Sequence, residues 1–328
     1  MPANLTPEYF EAEKKYRAAR TIEEKIAALR EMLAVMPKHK GTDKLQADIR
    51  AKISKLKKLL AEEKKSGGRR RFIYPRKEGA GQCVLVGPPN VGKSSILAAL
   101  TKAKPVIAPY PFSTQNYVIG MMPFEDIQIQ LIDTPPFVPK KLPFWQIDIT
   151  RNCDLVLLVA DLSTDTLLDD LETTFQALEE HKITLIGKGE RGEEIFGPVR
   201  KRTLVLANKV DAEGAADRLE ILKEFLPDFP IVPVSAVTGE GLEEVKALIF
   251  KELEVIRVYT KEPGHPPDMS DPLILKLGST ILDAAEKIHK DFARKLKYAR
   301  VWGSSKFDGQ RLERTYVLQD KDIVEFHI

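Results

Sequence analysis

Apolar residues in the first 65 positions recur at intervals of three and four. Ile22, Ile26, Leu29 and Leu33 form one series and Leu45, Ile49, Ile53, Leu56 and Leu60 another, each giving one face of a helix. Pro37 and Gly41 punctuate the two, and Thr42 or Asp43 can cap the second. The spacing predicts a helical hairpin over residues 1–66. From Gln82 the pattern changes. The runs QCVLV, YVIGMM, IQIQLID, DLVLLVA, TLVLANK and IVPVS read as strands, alternating with helical patterns near 94–103, 164–181, 215–225 and 241–256. That alternation predicts an α/β unit over 81–260, a mostly parallel sheet with helices on both faces. SGGRRRFIYPRKEGAG, from Ser66, reads as a basic linker over 67–80, and EPGHPPDMSDP, from Glu262, as a second linker over 261–270. Beyond it, LILKLG, a helix near 280–297, ARVW, TYVLQD and DIVEFHI predict a small β-grasp-like module over 271–328.

Charge adds a partner to this picture. The net charge of +3 over 328 residues hides a basic segment, 38–77, with 15 Lys/Arg against 4 Asp/Glu, joined to an acidic body. Either the basic helix is a solvated face of an antiparallel pair, or it contacts a polyanion; an excess this large favours nucleic acid. The tail repeats the theme with Lys287, Lys290, Arg294, Lys295, Lys297 and Arg300, beside Tyr298 and Trp302. Cations and aromatic rings together suit RNA; the competing reading, favoured for Trp302, is that the rings complete a small core. No DNA specificity is evident. No run of about 18 apolar residues occurs, so no membrane span is expected. The first residues lack the apolar core of a secretory signal, which leaves the cytoplasm as the default. Cys83 and Cys153 lie in apolar strand-like runs and read as core residues in a reducing compartment.

The chemistry begins at GPPNVGKSS, Gly87–Ser95, which follows a strand and opens a helix. It fits G-x-x-x-x-G-K-[ST], in which successive backbone N–H groups and a helix N-terminus cradle phosphates. Pro89, Asn90, Val91, Gly92, Lys93, Ser94 and Ser95 would line the phosphate chain. Lys93 would reach the β- and γ-phosphates, and the Ser94 hydroxyl would ligate Mg²⁺. The motif alone leaves ATP and GTP both open. NKVD, residues 208–211, decides between them. An Asp211 carboxylate accepts from both N1–H and the 2-amino group of guanine, whereas adenine would leave it unpaired. Asn208 can bond the purine and brace the loop, and the Lys209 stem can lie over the ring. Ser235, Ala236 and Val237 follow the next strand, where the Ala236 N–H can meet guanine O6. GKS, Thr114, Asp133 in DTPP, NKVD and the Ser-Ala pair come in the order of a guanine-nucleotide-binding domain.

These motifs carry a resemblance. The helical segment with HKGTDKL, the loop GPPNVGKSS, the switch I run APYPFSTQNYVIG, NKVD and the tail resemble the Obg-like GTPases, and most closely their DRG (developmentally regulated GTP-binding protein) branch. The tail, from DPLILKLGSTILDAAEKIH to KDIVEFHI, looks like a TGS domain. The resemblance implies a GTPase acting in translation, on the ribosome, rRNA or tRNA, with GTP/GDP and Mg²⁺ as ligands; a protein partner is the competing expectation. Ser94, Thr114 and Asp133 take the metal positions, and Lys93, Thr114 and Asn90 the catalytic ones. Asn at position 90 is associated with GTPases that bind K⁺ between phosphate oxygens, or else it merely tolerates the loop's backbone angles. The chain departs from the family in two places. Only HKITLIGKGERGEEIFGPVRKR, 181–202, stands where DRG proteins carry a sizeable insertion, leaving room for a hairpin. And the family expects D-x-P-G at Asp133, where this chain has Pro136, which has no N–H to give the γ-phosphate. Three outcomes are open: the Phe137 N–H substitutes, Thr114 alone senses the phosphate, or the switch is stiff and the domain a GTP-binding scaffold. Phe137 itself carries no amide to orient a water, so slow hydrolysis is expected.

Overall fold

The computed structural model describes residues 6–19, 22–37, 42–65, 75–101, 106–109, 116–188 and 197–327. They form two compact units, the N-terminal helices and most of the chain beyond residue 74. The expected hairpin is a set of three helices instead: α1 (Pro7–Ala18), α2 (Ile22–Val35) and α3 (Asp43–Lys65). Thr6 caps α1, its side chain accepting from the Tyr9 N–H, with Pro7 at the first helical position. Ala19 is extended (φ −66°, ψ 128°) and ends the helix. Sequence periodicity misses α1 because its inward face is little more than Tyr9 and Ala12, set among charges. Those two pack with Ile26, Leu29, Met32, Met36, Ile49 and Ile53 in one small core. Most of the 67–80 linker, through residue 74, lies outside the described residues.

The second unit opens with β1 (Gln82–Val86), α4 (Lys93–Leu100), β2 (Val106–Pro109), β3 (Asn116–Phe124) and β4 (Ile127–Asp133). It continues with α5 (Phe144–Asn152), β5 (Leu155–Asp161), α6 (Leu167–Glu179), β6 (Ile183–Ile186) and β7 (Val199–Asn208). Then follow α7 (Ala215–Phe225), β8 (Ile231–Val234) and α8 (Leu242–Glu252). The sheet order is β2-β3-β4-β1-β5-β7-β6, with β8 also on β7. It is parallel except for the antiparallel run β2-β3-β4. Strand residues alternate between two cores: Val84 and Val86 face α5, α6 and α7, while Cys83 and Leu85 face α4 and α8. Both cysteines are buried free thiols, with pKa values pushed up by burial. The hairpin expected within 181–202 is corrected. β6 and β7 run parallel, Ile183 opposite Val199, which requires a crossover rather than a tight turn; residues 189–196 of that connection are outside the described ones.

The expected boundaries 81–260, 261–270 and 271–328 also need correction. β9 (Val255–Lys261) is an interior strand of the second sheet, and β10 (Pro267–Lys276) takes in the last four residues of the expected linker. EPGHP is only the turn between them, and β10 tolerates PDMSDP through a register shift between Asp268 and Leu273. After α9 (Ile281–Ile288), extended His289 starts a separate α10 (Lys290–Lys295). β11 (Tyr298–Trp302), β12 (Gln310–Leu312) and β13 (Asp322–His327) complete the sheet, in order β10-β9-β13-β11-β12. One face packs on α9 and α10 through Ile256, Val258, Ala284, Ala299, Val301 and Val324.

The two sheets of this unit are joined by a charged knot. Arg257, only 2% exposed, donates to both Asp320 oxygens (3.1 and 2.7 Å), to Glu125 Oε2 (2.6 Å) and to Asp126 Oδ1 (2.7 Å). Its guanidinium lies 4.8 Å from the Phe250 ring centroid, and Phe250 stacks on Phe124. Glu125 and Asp126 form the turn between β3 and β4, the hairpin whose other end carries Asp133.

Candidate nucleotide site

The phosphate loop joins β1 to α4, as its strand–loop–helix context requires. Lys93 is 7% exposed and its ammonium donates to the carbonyls of Gly87 (3.0 Å) and Pro88 (2.8 Å). Burial lowers its pKa to about 8, against the opposing pull of Asp133. Asn90 takes φ 64°, a left-handed value that asparagine tolerates better than most residues. That angle agrees with the conformational reading of Asn90 and does not bear on an ion. Pro89 and Asn90 are exposed on the loop and Ser94 and Ser95 on the first turn of α4, with Val91 buried.

The Ser94 hydroxyl donates to Asp133 Oδ2 at the end of β4, while Asp133 Oδ1 is buried without a hydrogen-bond partner. Burial raises the Asp133 pKa, although Ser94 and Lys93 oppose it. A hydroxyl and a buried carboxylate with a free oxygen suit a hard cation that takes oxygen ligands, as Mg²⁺ does. Thr114, the third expected metal position, lies outside the described residues, with the rest of 110–115.

The segment after Asp133 is anchored at every step. Thr134 Oγ1 donates to the Leu85 carbonyl (3.0 Å), and Gln146 Nε2 donates to the Pro135 carbonyl (2.7 Å). The Phe137 N–H donates to the Gly87 carbonyl at 3.1 Å, and the Phe137 ring is fully buried. The donor that could have replaced the missing glycine is thus engaged by the phosphate loop's own backbone.

The base end is built around Asn208, 2% exposed. Its Nδ2 donates to the Val91 carbonyl (2.8 Å), and its Oδ1 accepts from the Ala236 N–H (3.2 Å). Asn208 is therefore a strut between the phosphate loop and the loop after β8, and the Ala236 donor expected at guanine O6 faces Asn208 instead. Gly92 makes the approach possible: at φ 93° a Cβ would sit 2.4 Å from Asn208 Nδ2. Ser235, fully buried, accepts from Val237 N and Thr238 N and shapes the turn, which leaves Val237 86% exposed. Asp211 is exposed and Lys209 half-buried beside it. Sequence reasoning missed Asp161, whose Oδ2 accepts from Lys209 Nζ at 2.5 Å. Its only signal was its place at the end of a buried strand.

Arg50, Lys52, Lys55 and Lys57 are exposed on α3, around the buried stripe of Ile49 and Ile53. In the C-terminal module Lys287 on α9, Lys290, Arg294 and Lys295 on α10, Lys297 after it and Arg300 on β11 are all exposed. The core reading of Trp302 is corrected by the period of β11. Ala299 and Val301 point to the helices, so Tyr298 and Trp302 take the opposite face, half-buried. There Lys261 lies 4.9 Å from the Trp302 ring centroid, and Arg311 3.9 Å from that of Tyr298, which stacks on His327.

Comparison with known proteins agrees with this architecture. Residues 82–188 match the family model described as a 50S ribosome-binding GTPase, and residues 256–328 match that of the TGS domain. An uncharacterized GTP-binding protein of Methanocaldococcus jannaschii is 30% identical, with 92% of each chain covered. Developmentally-regulated G-protein 3 of Arabidopsis thaliana is 29% identical over 93% of this chain and 98% of its own. Developmentally-regulated GTP-binding protein 2 of Bos taurus is 24% identical over 92% and 98%. A nucleotide-phosphate loop, a guanine-type NKVD strut and a C-terminal TGS sheet, over the full span of these relatives, make the chain a member of the DRG family of GTP-binding proteins.

Proposed function

We propose that this protein is a slow GTPase of the cytoplasm whose nucleotide cycle serves contact with RNA, on or near the ribosome. One observation carries the slow turnover: the Phe137 N–H is held by the Gly87 carbonyl, with Pro136 before it unable to donate. Switch II then offers the γ-phosphate no backbone donor at either position, and no side-chain amide to orient a water. Lys93, protonated below its pKa of about 8, supplies positive charge to the phosphate chain. Ser94 and Asp133 would hold Mg²⁺, which when bound neutralises charge building on the phosphate oxygens. Thr114 takes the remaining metal position, and Asn90 would place K⁺ against the phosphates.

The RNA part rests on the exposed cations of α3 and of the TGS module, in a chain whose intervening sequence is net acidic. The description of the matched GTPase model as ribosome-binding points the same way. Single-turnover GTP hydrolysis with and without ribosomes, in K⁺ and in Na⁺, tests the reading. A low rate in Na⁺ that rises in K⁺ and again with ribosomes supports it. Fast turnover of the isolated protein removes the slow-switch reading, and no turnover under any condition makes the domain a GTP-binding scaffold. Ribosome co-sedimentation that persists unchanged at high salt would count against the cationic surfaces.

A further inference from the structure

Lys209 has little intrinsic reason to stay where the base needs it. Its backbone sits at φ 65°, the left-handed region that L-residues with a Cβ avoid. Its side chain is long and carries about 2 kcal/mol of rotamer entropy in the free state. Something outside the NKVD turn must hold both.

The end of β5 and the loop after it grip the side chain, while the Val210 N–H, donating to the Val234 carbonyl at 3.1 Å, helps to hold the turn's backbone. Asp161 Oδ2 accepts from Lys209 Nζ at 2.5 Å, with the Asp161 side chain 10% exposed. Asp161 Oδ1 accepts from the Ser163 N–H (2.8 Å) and hydroxyl (2.7 Å), so the carboxylate is itself fixed. Burial acts to raise the Asp161 pKa, but the hydrogen bonds from Lys209 and Ser163 outweigh it and hold the carboxyl below its usual range. The Leu162 N–H donates to the Asn208 carbonyl at 2.9 Å, which ties this loop to the NKVD strand itself. Arg218, from α7, braces the far side through the Leu162 carbonyl (3.1 Å) and Asp165 (3.0 and 2.7 Å).

We propose that Asp161 is a positioning residue for nucleotide binding: by gripping the Lys209 ammonium it sets the lysine stem as a wall for the purine ring. This rests on the guanine-nucleotide reading of the site. Asp161 touches no base edge, so it would act equally on any purine, whereas discrimination belongs to Asp211.

Calorimetry on the full chain, with GDP and with IDP, which lacks the 2-amino group, tests the assignment. Asp161→Asn is expected to weaken both nucleotides by the same factor, on the order of tenfold for one charge-assisted contact. Lys209→Met keeps an apolar stem but loses the grip, so it should cause a similar loss. The double variant should lose no more than either single one, because both changes remove the same interaction. Lys209→Met also asks the question from the partly exposed partner, should Asp161→Asn fold poorly. Additive losses, an altered GDP:IDP ratio in Asp161→Asn, or unchanged affinity in either folded single variant would overturn the proposal. Asp211→Asn separates the two layers: if it leaves the GDP:IDP ratio intact, the guanine reading fails, whatever Asp161 does.

Discussion

Replacing Arg257 with methionine should loosen the TGS module from the GTPase sheet. The guanidinium is 2% exposed and donates to three carboxylates, while methionine fills a similar volume and donates nothing. Removing one partner from a buried ionic contact costs ~3–5 kcal/mol. Here Glu125, Asp126 and Asp320 keep 48%, 26% and 31% side-chain exposure and can rehydrate, so the low end, ~3 kcal/mol, applies. For a unit of this size that is a fall in Tm of roughly 6–12 °C. The pH dependence has a definite sign. The hydrogen bond from Arg257 lowers the Glu125 pKa; burial raises those of Asp126 and Asp320, but hydrogen bonds, Arg257's among them, bring both below their ordinary values. Carboxylates depressed in this way stabilise the fold above their unfolded pKa, and that contribution is lost as pH falls through the folded values. The gap between wild type and Arg257→Met should therefore be full near pH 7 and shrink below about pH 4. Urea unfolding at a fixed GDP concentration, from pH 7 to pH 3, measures it. A loss under about 1 kcal/mol, or a gap that does not change with pH, would refute the idea that this knot joins the sheets.

Other outcomes follow from the nucleotide site. Because burial lowers the Lys93 pKa to about 8, GDP affinity should fall as pH rises through that value. Binding there should take up a proton, seen as buffer-dependent heats in calorimetry. Gly92→Ala places a Cβ 2.4 Å from Asn208 Nδ2 at φ 93°, so GDP affinity should drop by about tenfold or more with a loss of ~2 kcal/mol in stability; equilibrium dialysis and thermal melts check both. Asp211→Asn should weaken GDP by about a hundredfold and favour XDP, whose 2-carbonyl accepts from an amide; competition binding reads the switch.

The sequence by itself determined those parts whose chemistry is local. A phosphate loop works through consecutive backbone amides between a strand and a helix, so GPPNVGKSS is legible from its own residues and neighbours. The same holds for NKVD at the end of a buried strand, for the alternation of strands and helices, and for a tail readable as a TGS module. Tertiary structure decided whatever depends on a distant partner. The Phe137 N–H finds Gly87, 50 positions earlier, and the Ala236 N–H finds Asn208, 28 earlier. Lys209 finds Asp161, 48 positions earlier, a pairing that exists only because β5 and β7 lie side by side with Asp161 opposite Asn208. The boundary at β9 was hidden for a related reason. VIRVYTK follows a helix and precedes a proline-rich turn, and only pairing with β10 and β13 assigns it to the second sheet. Local sequence fixes what a residue can donate or accept; which group faces it is set by strand order and register, and those are properties of the whole sheet.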